Sequence, residues 1–368
     1  MNADWHLDAY DYVLPPERIA QAPANPRDAS RLLVVRADTH VHSRFSTLPQ
    51  WLRAGDLLVF NDTRVLPARL LGQRRGGGPA EVLLLEDLGA DHWHALVRPG
   101  RRLPVGAKVH FRPADEASPW LVAEITGHDP HTGGRHVHLQ PLIDKPLIDI
   151  LEHLGQIPLP PYIASSEVNP DQYQTIYARH TGSAAAPTAG LHFTPHLLDQ
   201  LRAAGIDLAW ITLHVGVGTF RPVQVTDIRE HPMHGEWADV SPTVIDQIRT
   251  TRQRGGRVIA VGTTVTRTLE TAGRQGLQPF RGKTDLYIYP GYTWQVVDGL
   301  ITNFHLPRSS LMMLVSALIG RPRLLALYQE AIDQDYRFYS FGDAMLILPK
   351  DGPGFPIESS DPLPLPLE

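Results

Sequence analysis

Two textures divide this chain, and they restrict its architecture more than any single motif does. From about Arg69 to Gln140 the apolar runs are short: "AEVLLLED", "WHALVRPG", "AKVHFRP", "WLVAEITGHD" and "RHVHLQPL". Gly, Pro and Asp separate them at close spacing, the pattern of a small antiparallel barrel or sandwich, and nothing there has helical periodicity. From about Pro160 onward strands alternate with helices. "TPHLLDQLRAAG" offers Thr194 as N-cap, Pro195 at the first helical position and Gly205 as a stop, and "SPTVIDQIRTTRQRGG" repeats that design. "IDLAWITLHVG", "RVIAVG", "DLYIYPG" and "DAMLILP" read as strands; "TTVTRTLETAG", "SSLMMLVSALIG" and "LLALYQEAIDQDY" read as helices. Such alternation means an α/β domain in which helices flank a mixed sheet.

"RLLVVRAD" and "GDLLVFND" near the N-terminus read as strands without helices of their own, so they are expected in the α/β sheet. The β-rich segment is then an insertion. Residues 66–155 are expected to form a small antiparallel β-barrel domain, and 1–65 with 156–350 a discontinuous α/β catalytic domain. The tail, 351–368, is Pro-rich without periodicity and is expected to be disordered. At 368 residues, two domains are the default.

Composition closes several routes. There is no cysteine, so disulfides, thiolate catalysis and Cys-ligated metal centres are out. "MNADWHLDAY" has no basic and apolar leader pattern, and "LMMLVSALIG" is half a membrane span; the expected address is the cytoplasm, with no membrane contact. The net charge of -5 disfavours nucleic acid in general. Locally the balance inverts: Arg69 to Arg112 holds eight basic residues against four acidic, a surplus of +4. That segment is either a solvated loop face or an RNA footprint.

Chemistry in open α/β sheets sits where strand ends turn into helices. Three loops here have that position and an unusual make-up: "HTGSAAAPTAGLHFT" (His180 to Thr194), "HVGVGTFRPV" and "AVGTTVTRTLE". Small residues let the main chain approach a ligand, helix N-termini favour anions, and Thr hydroxyls add hydrogen bonds. None has the spacing of a dinucleotide fingerprint or a P-loop. Of 18 histidines, His180, His192, His214, His231, His234 and His305 lie in or beside these loops, where an imidazole can act as general base. "HPMHGE" combines His231, His234 and Glu236, but without the spacing of a helical metal pair, and no metal is expected there. "HDPHTGGRHVH" reads as a His-rich hairpin. Asp62, Arg64, Arg267 and Asp343 add charged groups at strand ends.

With these residues in view the chain resembles the S-adenosylmethionine:tRNA ribosyltransferase-isomerase family of queuosine synthesis. The resemblance runs from about Asp11 to Pro349. It rests on "DYVLPPERIAQAPANPRDASRLLVV", "GDLLVFNDTRVLPARL", "HTGSAAAPTAGLHFT", "HVGVGTFRPV", "HPMHGE", "GGRVIAVGTTVTRTLE", "YPGY", "DGLITNFHLPRSSLMMLVSAL" and "YRFYSFGDAML". Ser310 stands where Thr is usual, and Leu213 precedes His214 in place of Thr. The resemblance implies an α/β domain carrying an inserted β-barrel. It also implies ribosyl transfer from S-adenosylmethionine to a tRNA whose wobble base is 7-aminomethyl-7-deazaguanine. The sugar rearranges to give epoxyqueuosine, with release of adenine and methionine. S-adenosylmethionine is then a ribosyl-donating substrate. No metal is called for, no obligate protein partner is evident, and a monomer is the expected state.

That chemistry needs no enzyme nucleophile, because the substrate's aminomethyl nitrogen attacks. It needs a base beside the sulfonium, help for departing adenine, and exclusion of water. Candidate bases, in order, are His234, His214, His192 and Glu236; Asp62 or Asp343 could protonate or orient adenine. Asn61, Asp62, Arg64, Thr188, Gly190, Gly218, Thr219, Phe220, Thr263, Thr264, Arg267, Asn303 and His305 are candidate substrate-binding residues. Phe220, Tyr289 and Tyr292 offer aromatic faces to a sulfonium. Arg74, Arg75, Arg98, Arg101 and Arg102 are candidate tRNA phosphate contacts. Two rivals, a non-catalytic tRNA-binding protein and an S-adenosylmethionine-dependent RNA methyltransferase, predict no adenine and S-adenosylhomocysteine respectively. A metal-dependent hydrolase would be stopped by a chelator.

Overall fold

The computed structural model describes residues 3–129, 133–160, 162–163, 169–216 and 223–349. The first strands are β1 (Arg31–Val35) and its antiparallel neighbour β2 (His40–Arg44). After the single-turn α1 (Leu48–Trp51) comes β3 (Leu57–Asn61), buried at every position, and then β4 (Thr63–Val65). Side chains alternate across β3. Leu57 and Val59 enter one hydrophobic layer, Leu58 and Phe60 the layer on the other face, so burial on both sides selects a run of large apolar residues.

The chain then leaves the sheet. Strands β5 (Arg69–Arg74), β6 (Pro79–Gly89), β7 (His92–Arg98), β8 (Lys108–Phe111), β9 (Leu121–His128) and β10 (Arg135–Pro141) follow. They form an antiparallel ring in the order β5-β6-β7-β10-β9-β8, closed by pairing of β8 back onto β5. Closure depends on Gly72. A Cβ there would lie 2.5 Å from the His110 carbonyl oxygen and from the Phe111 ring, across the closing seam. Alternate residues such as Val82, Leu84, Val109, Phe111, Ile125 and Val137 fill the interior. Helix α2 (Leu147–Leu154) packs Ile150 and Leu151 against that interior, and β11 (Gly155–Gln156) pairs with Arg69 and Leu70 on the edge of β5 away from β6.

The chain returns through β12 (His180–Ser183), parallel to β4. There follow α3 (Pro195–Ala203), β13 (Asp207–Leu213), β14 (Glu236–Val240), α4 (Pro242–Gln253), β15 (Val258–Val261) and α5 (Thr263–Arg274). The last elements are β16 (Phe280–Thr284), β17 (Gly299–Asn303), α6 (Ser310–Ile319), α7 (Arg321–Asp333) and β18 (Ala344–Ile347). Thr194 and Ser241 cap α3 and α4 as their sequences predict, accepting from the amides of Leu197 and Val244.

The main sheet has nine strands in the order β16-β14-β13-β3-β15-β17-β18-β1-β2. Strands β13, β3, β15 and β17 run parallel; β14 and β16 run against their neighbours, and β18 runs against β17 but parallel to β1. The sheet is therefore mixed and flanked by helices, as expected, and β3 and β13 are adjacent although the whole barrel lies between them in the chain. "DLYIYPG" is not a strand. The strand ends just before it, at Thr284, and the segment has no ladder partner. Its alternating burial is real, since Leu286 and Ile288 are core residues. Its carbonyl at Leu286, however, accepts a hydrogen bond from the Arg267 side chain instead of a neighbouring strand. Among the described residues no single helix is long and apolar enough to cross a membrane. The Pro-rich tail lies outside the described residues.

Candidate active site

Because β3, β13, β15 and β17 are parallel, their carboxyl ends lie on one rim. A cleft of about 330 Å³ opens there. One wall is the bare loop, Ala185 to Ala189. A second is the β15–α5 turn, Gly262 to Thr264. The third is the run after β17, from Thr302 through His305 and Arg308 to Ser310. The small side chains of the loop therefore have a purpose: they bring main chain to the cleft surface. Gly262 makes the entry to α5 at φ 101°, a left-handed angle that favours glycine.

Two helices, α5 and α6, begin at this cleft, so two sets of free amides and two positive dipole ends face the same space. Arg308, at φ 57°, adds a guanidinium on the same wall, 3.3 Å from the exposed carboxylate of Asp8, which a bound anion would have to share or replace. This end of the cleft suits a carboxylate or phosphate. Around it Thr188, Thr263, Thr264, Thr302 and Ser310 line the surface with hydroxyls suited to a sugar.

The lining is held rigidly. Asn61 donates to the Leu213 carbonyl at 3.0 Å, accepts from the Leu213 amide at 3.0 Å, and approaches Thr264 Oγ1 at 3.4 Å, joining three strand ends. Asn303 accepts from Thr188 at 3.0 Å and donates to the Tyr339 carbonyl at 3.2 Å and His192 Nε2 at 3.1 Å. His192 is enclosed, stacked on Phe45, with Nδ1 2.7 Å from Ser30 Oγ. Burial above all, then the charges of Arg337 and Arg27, push its pKa down to about 3. A neutral ring whose Nε2 accepts from Asn303 orients that amide. His305 lines the cleft but is also buried, its pKa pushed down to about 3, with Nε2 2.8 Å from Thr302 Oγ1.

His214 has a different setting. It follows β13, half-buried, stacked on Trp237 with the rings 5.2 Å apart, beside the cleft residue Val215. Its Nδ1 lies 2.7 Å from Thr63 Oγ1, and that hydroxyl is 3.4 Å from the His180 carbonyl oxygen. In the tautomer in which this hydroxyl donates to that carbonyl, which can only accept, Nδ1–H donates to Thr63. Nε2 is left with its lone pair. It lies above Gly182, where a Cβ would be 2.9 Å away. Burial, with a smaller effect of His180, holds the His214 pKa down to about 4, so the ring is neutral at physiological pH.

The charged candidates sit behind this surface. Glu236 and Arg267 form a buried ion pair, each about 3% exposed. Arg267 also donates to the Leu286 carbonyl at 2.9 Å, and Glu236 accepts from the Gly216 amide at 3.0 Å. Asp62 is buried and accepts from Thr212 at 2.7 Å, with Arg179 and His180 nearby at 3.8 and 3.7 Å. Asp343 accepts from the amides of Arg31 and Arg337, each at 2.8 Å; burial nevertheless pushes its carboxyl up. None of these four carboxylate and guanidinium groups lines the cleft. Arg64 is exposed beside Glu152 at 4.0 Å, His234 is exposed, and Gly190 accommodates the Tyr177 hydroxyl, which would lie 2.1 Å from a Cβ. Tyr292 donates to Glu270 at 3.0 Å, and neither it nor Tyr289 lines the cleft. Gly218, Thr219 and Phe220 lie outside the described residues.

Several lining residues have no counterpart among the sequence-derived candidates: Arg308, Ser309, Ser310, Tyr339 and Ser340. The available signal was the "PRSS" start of α6, a helix N-terminus of the kind weighed for the loops leading into α3 and α5.

On the barrel a second, broader groove of about 1050 Å³ is lined by Arg74, Arg75, Arg98 and Arg112 together with Glu81. Arg101 and Arg102 stand exposed on the next short turn, Gly100–Arg102.

Comparison with known proteins agrees with this architecture. A family model described as "Queuosine biosynthesis protein" matches residues 7–347. A relative from Acaryochloris marina, named S-adenosylmethionine:tRNA ribosyltransferase-isomerase, is 59% identical over 94% of this chain and 95% of its own length. One of the same name from Moorella thermoacetica is 53% identical over 93% and 99%. The crystal structure of S-adenosylmethionine tRNA ribosyltransferase from Thermotoga maritima aligns at TM-score 0.52 and 38% identity, over 92% of this chain and all of that one. A sheet-and-barrel fold with a cleft at the parallel strand ends, matched along nearly its whole length, thus places this chain in the queuosine biosynthesis protein family.

Proposed function

We propose that this protein transfers and isomerises the ribosyl group of S-adenosylmethionine onto 7-aminomethyl-7-deazaguanine at the tRNA wobble position. The product is epoxyqueuosine, and adenine and methionine leave. One observation carries the reading: the bare loop, the α5 turn and the run Thr302–Ser310 converge on a single cleft beside His214. The volume suits a compact nucleoside ligand. The amides of α5 and α6, with Arg308, would take the methionine carboxylate. Thr188, Thr263 and Thr264 would take sugar hydroxyls. Tyr339, which lines the cleft, would lie beside the sulfonium.

His214 is the base we assign to the proton next to the sulfonium, since its Nε2 keeps a lone pair and its ring is neutral. His192 and Asn303 are positioning residues. Glu236, Arg267 and Asp62 hold the strand ends in place. The wobble base would leave its stack to enter the cleft.

The test is a product assay with the purified protein, S-adenosylmethionine and precursor tRNA, read by mass spectrometry. Stoichiometric adenine and methionine with an epoxyqueuosine nucleoside is the expected outcome. S-adenosylhomocysteine would mean a methyltransferase, and tRNA binding without adenine release a binding protein.

The barrel groove is the surface we assign to tRNA phosphates. Arg75, Arg98 and Arg101 are exposed, so replacing all three with Ala leaves the fold intact. The variant should bind tRNA more weakly, and the slope of log affinity against log salt should shrink by roughly one per arginine. S-adenosylmethionine binding should not change. An unaltered salt slope would remove the groove from the RNA footprint.

A further inference from the structure

Far from the cleft, three metal-ligating side chains meet on one face of the sheet edge. His40 and His42 are two residues apart on β2, so both rings project to the same side. Glu330 comes from α7, which crosses that side. His40 Nε2 lies 2.9 Å from each carboxylate oxygen, and His42 Nε2 lies 2.8 Å from Oε1. The three potential ligand atoms are all within 4.8 Å of one another, and the side chains are only 27–37% exposed. Strand β1 is parallel to β18, which runs against β17. His40 pairs with Val35, the last residue of β1, so the cluster sits toward the end of the sheet opposite the cleft.

The geometry points to a binding site for a borderline-soft divalent transition ion of the zinc type, clamping edge strand β2 to helix α7. Tetrahedral ligands at metal–nitrogen distances of about 2.0–2.1 Å stand somewhat more than 3 Å apart. The imidazole–carboxylate separations of 2.8–2.9 Å need to open slightly, and the two imidazole nitrogens, already within 4.8 Å of each other, need to settle at the same spacing. A supporting group is already in place: the Tyr336 hydroxyl, on a side chain buried beneath the Arg31 guanidinium, lies 2.7 Å from His42 Nδ1. Without an ion, each Nε2–H donates to the carboxylate. With an ion bound, His42 carries its proton on Nδ1 and donates to Tyr336, which leaves Nε2 as the ligand. That is the usual outer-shell arrangement of a metal-bound imidazole. Two imidazoles and one carboxylate leave a fourth position for water. Their nitrogen content favours zinc over magnesium or calcium.

The site has no part in the ribosyl transfer proposed above, so its test reads binding and stability, not turnover. Full-length protein stripped with chelator would be titrated with zinc chloride in a calorimeter and melted with and without the ion. Magnesium chloride is the comparison. One zinc equivalent is expected, with a melting temperature raised by zinc and not by magnesium. His42→Gln should weaken that equivalent by at least ~100-fold, and Tyr336→Phe by roughly 10-fold. His40→Gln and Glu330→Gln provide second and third variants should His42→Gln fold poorly, as judged by its ion-free melt. Other histidines on the chain make the difference between variants decisive. Zinc binding that is unchanged in all three ligand variants, or no zinc-dependent shift in the wild type, overturns the proposal and leaves a purely hydrogen-bonded strut.

Discussion

His214→Ala is expected to lower kcat by roughly 10²–10⁴-fold, the range for loss of a positioned general base. KM for S-adenosylmethionine should change little, because the cleft lining is supplied by other loops. The reasoning rests on proton placement. Thr63 engages Nδ1, so that with the proton there Nε2 is unprotonated, and Gly182, lacking a Cβ, lets the ring pack directly over its main chain. Thr63→Val should therefore lower kcat as well, by less than the removal of the ring itself. The pH dependence has a definite sign. A base works only when unprotonated, and burial holds the His214 pKa down to about 4. Its contribution is intact above about pH 5 and is lost as acid titrates the ring through that value. The same group destabilises the fold in acid. Its folded pKa lies below the unfolded value of about 6.5, so stability is complete above that value and declines as pH falls toward 4. Steady-state kinetics of His214→Ala and His214→Gln decide the matter. Full kcat in both would remove His214 from the chemistry and direct attention to another histidine.

Glu236→Ala should be the most damaging single change to stability near the site, costing about 3–5 kcal/mol in urea unfolding. The substitution leaves the Arg267 guanidinium, only 3% exposed, without its carboxylate. It also removes the acceptor of the Gly216 amide. Glu236→Gln keeps an oxygen for that amide and should cost less. This pair of variants separates two roles that look alike in sequence. An anchoring carboxylate changes stability most, and Gln restores much of it. A carboxylate acting as the base would lose kcat equally in Gln and Ala with little change in the unfolding midpoint.

Much of the architecture was legible because its signals are local. The caps at Thr194 and Ser241 depend on a hydroxyl three residues from an amide, and sequence alone places both. The change from short β runs to strand–helix alternation marked the barrel against the mixed sheet. Strands β2 and β14 carried no comparable signal. "HVHSR" lies on an edge and is largely exposed, and "EWADV" alternates over only five residues. Their strand character comes from neighbours distant in the chain. "DLYIYPG" misled for the opposite reason: it has the alternation of a strand, but the Arg267 guanidinium takes a carbonyl that a ladder would have used.

The candidate histidines show where local reading ends. His192, His214, His234 and His305 are one residue type in similar loops. The fold encloses His192 and His305, exposes His234, and leaves His214 half-buried with one nitrogen engaged. Glu236 and Arg267, distant in sequence, neutralise each other once β14 packs against α5.

By itself, then, the sequence determined the period and capping of most elements, the absence of a cysteine nucleophile, and the small side chains that let main chain reach a ligand. Only the tertiary structure decided which strand ends share a rim, which imidazole keeps a lone pair, and which charges cancel behind the cleft wall. The division has a physical cause. Backbone preference is set within a few residues, whereas desolvation and hydrogen-bond partnership depend on whichever groups the fold brings within a few ångströms.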